Sequence, residues 1–320
     1  MPSIESQELG RLYESKASRM KATPNLDRAT ILSLYEEEQS CAAEAPDITY
    51  EDVKVRGRQG IWASPVGLLP QSNDNQPSVI MYTHGGGFSL GSPNSHRKLA
   101  AHLGRAANAN VLILNYRLAP EHSFSASLDD VLAVYEWLLQ ERGFPASKIA
   151  TEGDSAGGNL ATALVLRIKQ EEKGRLALPA AIVAFSPWYN LENNFGSMSR
   201  NNAFDKLVHR PRLDQLARAY VAGTRASLRD PLVNPIYADL KSLSPIYIAV
   251  GTHETMQGDS VRFAELARKA GVEVKLEMAD EQQHVHDFMA GRAIEANVTI
   301  QNVGRWLQQS MRIALSNIDE

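Results

Sequence analysis

Ser155 lies in a pattern that is typical of a catalytic serine. It stands in the run Gly153-Asp154-Ser155-Ala156-Gly157-Gly158, between a predicted strand (Lys148 to Glu152) and a predicted helix (Asn159 to Lys173). Gly-x-Ser-x-Gly at such a junction is typical of a nucleophile elbow, a tight turn that exposes a serine hydroxyl. We expect glycine at 153 and 157 because the strand and helix backbones approach too closely there for a Cβ atom. Ser155 would then lie at a helix N-terminus, where free amides favour negative charge.

A run of three glycines supplies the second chemical pattern. His84-Gly85-Gly86-Gly87 directly follows the apolar run Val79 to Tyr82. Consecutive glycines leave backbone N–H groups free to point at a ligand, as an oxyanion hole requires. We therefore predict that the amides of Gly85 and Gly86 act together with that of Ala156, the residue after the nucleophile. The two patterns in this order, each after a strand pattern, indicate a hydrolase.

The sequence offers two candidates for an acid. A serine nucleophile needs a base, and the base works better when an acid orients it. In chains with this elbow the acid follows the serine, at the end of a later strand. Glu254 and Asp259 both follow the predicted strand Ile246 to Gly251. Asp259 opens a predicted helix, where a capping or dipole role explains it well, so Glu254 is favoured.

Two histidines are candidates for the base. His284 and His286 follow the predicted strand Val272 to Met278, which is where this chain order places the base. A metal pair of the form His-x-His is disfavoured, because no acidic or cysteine partner with ligand spacing stands nearby. From the residues alone, both histidines remain candidates.

The motifs resemble those of one known family. The chain resembles the hormone-sensitive-lipase-like family of α/β-hydrolases, in its microbial carboxylesterase branch. Four segments carry the resemblance, in the family's order: His84 to Phe88, Tyr116 to His122, Gly153 to Gly158 and Asp230 to Pro235. In the family, the base is followed by one residue and an aromatic or similar group, which favours His284. Glu254 departs from the Asp of many relatives, and the fold accepts either acid.

The resemblance also implies an architecture. We expect an α/β-hydrolase fold with a mostly parallel central sheet flanked by helices and a small helical cap. Residues 1–45 would form an N-terminal cap segment and residues 46–320 the catalytic domain, with 188–235 contributing to the cap. Aromatic and apolar residues near the motifs are candidates for the substrate pocket: Phe88, Leu90, Trp188, Tyr189, Phe204, Met256 and Phe288.

Hydrophobic periodicity supports alternating strands and helices from Ile48 onwards, which implies a parallel sheet. Two short helices are predicted before residue 45, and a polar loop at 71–77. The other predicted strands are Ile48 to Val55, Ile61 to Val66, Ser78 to Thr83, Asn110 to Tyr116 and Ala180 to Ser186. The other predicted helices are Ser95 to Ala107, Ser127 to Gly143, Gly258 to Ala270 and Arg292 to Ile313.

The bulk composition argues against several partners. The net charge of the 320-residue chain is -4, so nothing favours nucleic acid or an anionic membrane. Cys41 is the only cysteine, which excludes an internal disulfide and a four-cysteine zinc site. The first residues lack a secretory pattern, and no apolar run approaches the ~20 residues that span a bilayer. We predict a cytoplasmic enzyme without a cofactor or metal.

Several functions fit these motifs. The first is hydrolysis of short to medium acyl esters through an acyl-enzyme. A lactone or amide hydrolase with the same triad is the alternative. A small-molecule receptor without catalysis, as in the plant gibberellin receptors that resemble this family, is disfavoured because His284 is retained. The closing strand Val272 to Met278 would lie at a sheet edge, where a homodimer can form.

Overall fold

The computed structural model describes residues 1–22, 26–37, 41–68, 77–171 and 175–316. Of the polar loop predicted at 71–77, residues 71–76 lie outside this described part. The described strands are β1 (Ile48–Val55), β2 (Arg58–Pro65), β3 (Ser78–Thr83), β4 (Ala109–Leu114), β5 (Ile149–Asp154), β6 (Ala181–Phe185), β7 (Ile246–Gly251) and β8 (Val274–Ala279). The described helices are α1 (Ile4–Ala22), α2 (Arg28–Glu36), α3 (Pro93–Ala107), α4 (Ala126–Gln140), α5 (Ala156–Glu171), α6 (Ser197–Arg200), α7 (Arg210–Val221), α8 (Gln257–Lys269) and α9 (Ile294–Ser316).

The eight strands form one sheet in the order β1-β2-β4-β3-β5-β6-β7-β8. The pairs β1–β2 and β2–β4 are antiparallel, and every later pair is parallel. The strands β3 to β7 are buried along their whole length. Helices cover both faces of a parallel sheet, which is why β3, β4, β6 and β7 are largely apolar. The buried strand β5 differs, because it carries Thr151, Glu152 and Asp154. The predicted fold class is confirmed.

The two glycine motifs, at residues 84–87 and 153–158, lie at the carboxyl ends of parallel strands. One core cluster joins α3 and α9 to one face of the sheet, and two clusters join α4, α5 and α8 to the other face. The loops after β3, β5, β6, β7 and β8 therefore meet at one edge of the sheet, where ligands bind in open α/β folds. This is the edge at which the two glycine motifs lie.

Two segments lie over this edge. The first is the N-terminal pair of helices, α1 and α2. The sequence predicted two short helices here, but α1 has 19 residues. The second is the insertion between β6 and β7, which includes α6 and α7. Within the described residues, no helix is long and apolar enough to span a membrane.

Candidate active site

Ser155 lies at a strained turn between β5 and α5. The strand ends at Asp154 and the helix begins at Ala156, so one residue makes the whole turn. Ser155 adopts φ +53°, in the left-handed region that non-glycine residues rarely occupy. A Cβ atom at Gly153 would overlap the backbone of Gly157, and one at Gly157 would overlap the carbonyl oxygen of Thr83. The sequence-based explanation of these two glycines is confirmed.

His284 and Glu254 form a buried pair beside this turn. Nδ1 of His284 lies 2.8 Å from Oε2 of Glu254, and the two side chains are 3% and 0% exposed. Because a carboxylate only accepts, Nδ1 carries the proton and Nε2 is left with its lone pair. His284 and Ser155 line the same cavity. No hydrogen bond joins Ser155 to His284 in this structure, and such contacts often tighten only when substrate is bound.

Ser186, which the sequence analysis did not single out, completes this arrangement. Its Oγ donates to Oε1 of Glu254 at 2.6 Å and accepts the backbone N–H of Val285 at 3.0 Å. The N–H of Gly251 also donates to Oε1 of Glu254, at 2.5 Å. Three donors therefore fix the acid, and Ser186 ties it to the loop that carries His284. Its position directly after β6, at the carboxyl end of a parallel strand, is the signal that would have found it.

The electrostatic surroundings favour the protonated form of His284. Burial acts to lower its pKa, but the hydrogen bond and charge of Glu254, with the charges of Asp205 and Asp154, outweigh burial and raise the pKa above 6.5. The buried carboxylates stabilise an imidazolium, which is the state that a base reaches after it has taken a proton. The site is thus arranged to accept a proton from a neighbouring hydroxyl.

The other candidate acid and base lie elsewhere. Asp259 accepts the backbone N–H of Asn190 at 2.7 Å, and burial raises its pKa well above the ordinary value. Nε2 of His286 lies 3.1 Å from Oγ1 of Thr299 on α9. Neither side chain lines the cavity that holds Ser155.

In the glycine loop, one predicted oxyanion donor is wrong. The amide of Gly85 already donates to Oδ1 of Asp154 at 3.0 Å, so it is not free for an oxyanion. Gly86 and Gly87 line the cavity instead, with φ of +106° and +62°. Ala156 is the first residue of α5, and the first amides of a helix have no partner within it. The available donors are therefore the amides of Gly86, Gly87 and Ala156.

Asp154 connects the elbow to the glycine loop. Besides Gly85, its Oδ1 accepts from the hydroxyl of Tyr82 at 2.9 Å, and its Oδ2 lies 3.4 Å from Nε2 of His96. Burial opposes ionisation, but the charge of His96 and the hydrogen bonds of His96 and Tyr82 lower the pKa of Asp154. An ionised Asp154 holds the loop beside Ser155, although 69 residues separate Gly85 from Asp154.

The cavity over Ser155 has a volume of about 70 Å³. Its lining combines the motifs with residues of α2, of the β6–β7 insertion and of the His284 loop: Tyr35, Gly86, Gly87, Asp154, Ser155, Trp188, Leu207, Val208, His209, Arg212, Leu213, Leu216, His284, Val285 and Phe288. Among the described residues, no group of three or more His, Cys, Asp or Glu could hold a metal ion.

Of the seven residues predicted to line the pocket, Trp188 and Phe288 do so. The other five do not border this cavity. Phe88 stacks on Tyr220 at 3.9 Å, Tyr189 stacks on Phe263 at 4.2 Å, and Phe204 stacks on His253 at 4.8 Å. Leu90 and Met256 are each 1% exposed. Proximity in sequence did not determine the direction of these side chains, and Leu213 and Leu216 of α7 were missed.

Comparisons with known proteins agree with this geometry. A family model described as alpha/beta hydrolase fold matches residues 80–290. The chain is 38% identical to an acetyl-hydrolase of Streptomyces hygroscopicus, over 72% of this chain and 75% of that protein. It is 33% identical to the carboxylesterase NlhH of Mycobacterium tuberculosis, over 76% of each.

A solved structure gives the same result over nearly the whole chain. It is that of an esterase from the bacterial hormone-sensitive lipase family, with a TM-score of 0.88 and 34% identity, covering 97% of this chain and 99% of the other. The sheet order, the serine at its tight turn and these relatives lead to one conclusion. The chain belongs to the α/β-hydrolase family, in its hormone-sensitive-lipase-like branch, and is a carboxylic ester hydrolase.

Proposed function

We propose that Ser155, His284 and Glu254 form the catalytic triad of this esterase. The observation that carries the proposal is the buried His284–Glu254 pair, at 2.8 Å, whose histidine lines the same cavity as Ser155. Oγ of Ser155 attacks the ester carbonyl while Nε2 of His284 takes its proton. His284 then gives this proton to the departing alcohol, and Ser155 is left as an acyl ester. Water, deprotonated by His284, hydrolyses that ester and restores the serine.

The oxyanion of each tetrahedral intermediate would bind the amides of Gly86, Gly87 and Ala156. These backbone groups are fixed before the charge develops, so no reorganisation is needed during the reaction. Asp154 supports them indirectly because it holds the amide of Gly85. No residue of the site needs a cofactor for these steps.

We further propose that residues 1–45 and 188–235 form a cap over the site. Tyr35 from the first segment and the stretch from Leu207 to Leu216 from the second border the cavity. Trp188, at the start of the second segment, also lines it, and the remaining lining residues lie at the sheet edge. A cap built from two distant segments limits the size of the acyl group and shields the polar groups of the site from bulk solvent.

The small cavity favours short acyl groups. One water-sized sphere needs about 10–15 Å³ on this scale, so about 70 Å³ holds roughly five to seven such spheres, which suits a short acyl group. Leu216 lies directly over the oxyanion loop: a Cβ atom at Gly87 would come within 2.6 Å of its Cδ1. The relative named acetyl-hydrolase, whose name refers to a two-carbon acyl group, is in keeping with this size.

A p-nitrophenyl ester series tests this function. We expect the acetate and butyrate to be the best substrates by kcat/KM, with steep losses for the octanoate and laurate. Leu216→Ala should raise the octanoate-to-butyrate ratio about tenfold, because each methylene accepted in an apolar pocket is worth a factor of that order. Val221→Ala, which shortens an apolar side chain on the same helix away from the cavity, should leave the ratio unchanged. An unchanged ratio in Leu216→Ala would contradict this acyl site.

We also propose that the enzyme forms a homodimer through β8. This strand ends the sheet, and an exposed edge can pair with a second copy. Antiparallel pairing centred on Leu276 would place Lys275 opposite Glu277 of the second copy, which opposite charges stabilise. Light scattering should give twice 35.2 kDa for the wild type and 35.2 kDa for Leu276→Lys, which places like charges opposite each other. A monomeric wild type would refute the dimer.

A further inference from the structure

The peptide unit that joins His284 to Val285 is held at both ends. The hydroxyl of Tyr13 donates to the carbonyl oxygen of His284 at 2.9 Å. The N–H of Val285, at the other end of the same unit, donates to Oγ of Ser186 at 3.0 Å. One contact comes from the sheet edge and the other from α1, which lies 271 residues away in sequence.

This peptide unit needs to be held, because the backbone beyond it is strained. Val285 adopts φ +49° and ψ +54°, the left-handed conformation. That conformation is a genuine outlier for a β-branched residue and persists only where surrounding contacts impose it. The conformation of Val285 sets the direction of the chain next to His284. A contact that holds the peptide unit therefore also holds the imidazole.

Tyr13 is held in place by the seating of α1. Its side chain is 1% exposed. One end of the helix is fixed by Ser3, whose N–H and Oγ donate to the carboxylate of Glu295 at 2.6 and 2.7 Å. Further along, Oγ of Ser6 donates to the side-chain carbonyl of Gln282, two residues before His284. Glu14 forms an ion pair with Lys206 of the β6–β7 insertion at 2.9 Å.

We propose that Tyr13 is a positioning residue for the catalytic base, so that α1 serves as a clamp on the His284 loop and not only as a cover over the cavity. The clamp acts on the carbonyl of His284 and touches neither substrate nor the reacting atoms. An enzyme whose first helix is unseated would bind ester yet transfer protons poorly. The inference rests on the proposed role of His284 as the base.

The test compares two tyrosines that differ in position but not in chemistry. Tyr13→Phe removes the hydroxyl that binds the His284 carbonyl. Tyr135 lies in α4, and Tyr135→Phe removes a hydroxyl that donates to the carbonyl of Ala177 at 2.7 Å. Both variants lose a hydrogen bond to a backbone carbonyl, which is buried for Tyr13 and partly buried for Tyr135, so their losses of stability should be of similar size. Rates with p-nitrophenyl butyrate should be expressed per site titrated with an organophosphate, well below the unfolding temperature.

We expect Tyr13→Phe to lower kcat about tenfold with KM within twofold of the wild type, because small misplacements of a catalytic group are costly. The pH profile of kcat/KM supplies a second readout. A neutral His284 is required, so the wild-type rate should rise with pH through an apparent pKa above 6.5. In Tyr13→Phe the His284 loop is held less firmly, so the contact between His284 and Glu254 is weaker and the pKa of His284 falls. The rise of kcat/KM should therefore occur at lower pH than in the wild type.

The outcomes separate the clamp from its alternatives. The clamp would be overturned if Tyr13→Phe and the wild type had equal kcat values and if their kcat/KM rose at the same pH. A raised KM at unchanged kcat would overturn it as well, since Tyr13 would then act on substrate binding through the cap. An equal loss of kcat in Tyr135→Phe would trace the effect to general destabilisation. A wild type inactive on every ester would refute the proposed function, and the clamp with it.

Discussion

Ser155→Ala is expected to lower kcat for p-nitrophenyl butyrate about a millionfold, the loss seen when the nucleophile of a serine hydrolase is removed. Without Oγ no acyl-enzyme forms, and direct attack by water must replace two easier steps. The oxyanion donors and the cavity remain, so a residual rate about 10³–10⁴ above the uncatalysed reaction is expected. Substrate binding should change little, because an alanine removes one oxygen from the wall of the cavity.

Ser310→Ala is the matched control for this measurement. It removes a hydroxyl that donates to the carbonyl of Trp306 within α9. Its kcat should equal that of the wild type. Retention of more than about one per cent of the wild-type rate in Ser155→Ala would contradict a covalent role for this serine, since the acyl-enzyme route would then carry little of the reaction.

Glu254→Gln should produce the second largest loss, about 10³–10⁴ in kcat. Gln keeps the volume of the side chain but has only one acceptor oxygen for the three donors Ser186, Gly251 and His284. An amide N–H placed at Nδ1 would favour the wrong tautomer of His284, with the proton on Nε2. Stabilisation of the imidazolium by the carboxylate is lost at the same time.

Asp259→Asn tests the competing acid directly. Burial raises the pKa of Asp259 well above its ordinary value, and Asn keeps the size of the side chain and one acceptor oxygen. Its acceptor contact with Asn190 can persist in the variant. We expect a change in kcat below threefold. A thousandfold loss in Asp259→Asn together with an active Glu254→Gln would assign the acid to Asp259 and contradict the triad described above.

Adding Glu254→Gln to His284→Ala gives a further check on the same pair. Residues that act as a unit are strongly non-additive. The double variant should therefore be little slower than His284→Ala alone. If the loss of kcat in the double variant equalled the product of the two single losses, Glu254 and His284 would act separately.

The fold was predictable from the sequence because its signals are local. Runs of buried apolar residues mark β3, β4, β6 and β7. The more polar β5 is marked by the elbow at its end, where Gly153 and Gly157 are required by the close approach of strand and helix. The His284 loop was predictable in position because it follows the last strand. For most elements the observed ends lie within a few residues of the predicted ends, because each strand must stop where the next helix begins.

The details of the site depend on contacts that sequence spacing does not encode. The choice between Gly85 and Gly87 as oxyanion donor is decided by Asp154, whose carboxylate takes the amide of Gly85. The aromatic residues Phe88 and Tyr189 lie near the motifs in sequence but stack on Tyr220 and Phe263. These outcomes follow from side-chain directions in the folded chain.

The cap segments that contain α1 and α7 were expected over the site, but no local signal marked the individual residues of these helices that contact it. Tyr13 meets the carbonyl of His284 across 271 residues, and nothing in α1 distinguishes it from an ordinary core tyrosine. Leu216 reaches the glycine loop because the insertion folds back over the sheet edge. Long-range packing decides such contacts, so a structure was needed to find them.

Covalent labelling tests the central claim most directly. Diethyl p-nitrophenyl phosphate should release one p-nitrophenolate per chain and leave a stable diethylphosphoryl group, because a phosphorylated serine of this kind resists the attack of water that frees an acyl group. We predict that peptide mass spectrometry will find the group on Ser155, and that Ser155→Ala will take up none. A label on another residue, or continued turnover of p-nitrophenyl butyrate by fully labelled protein, would contradict the account.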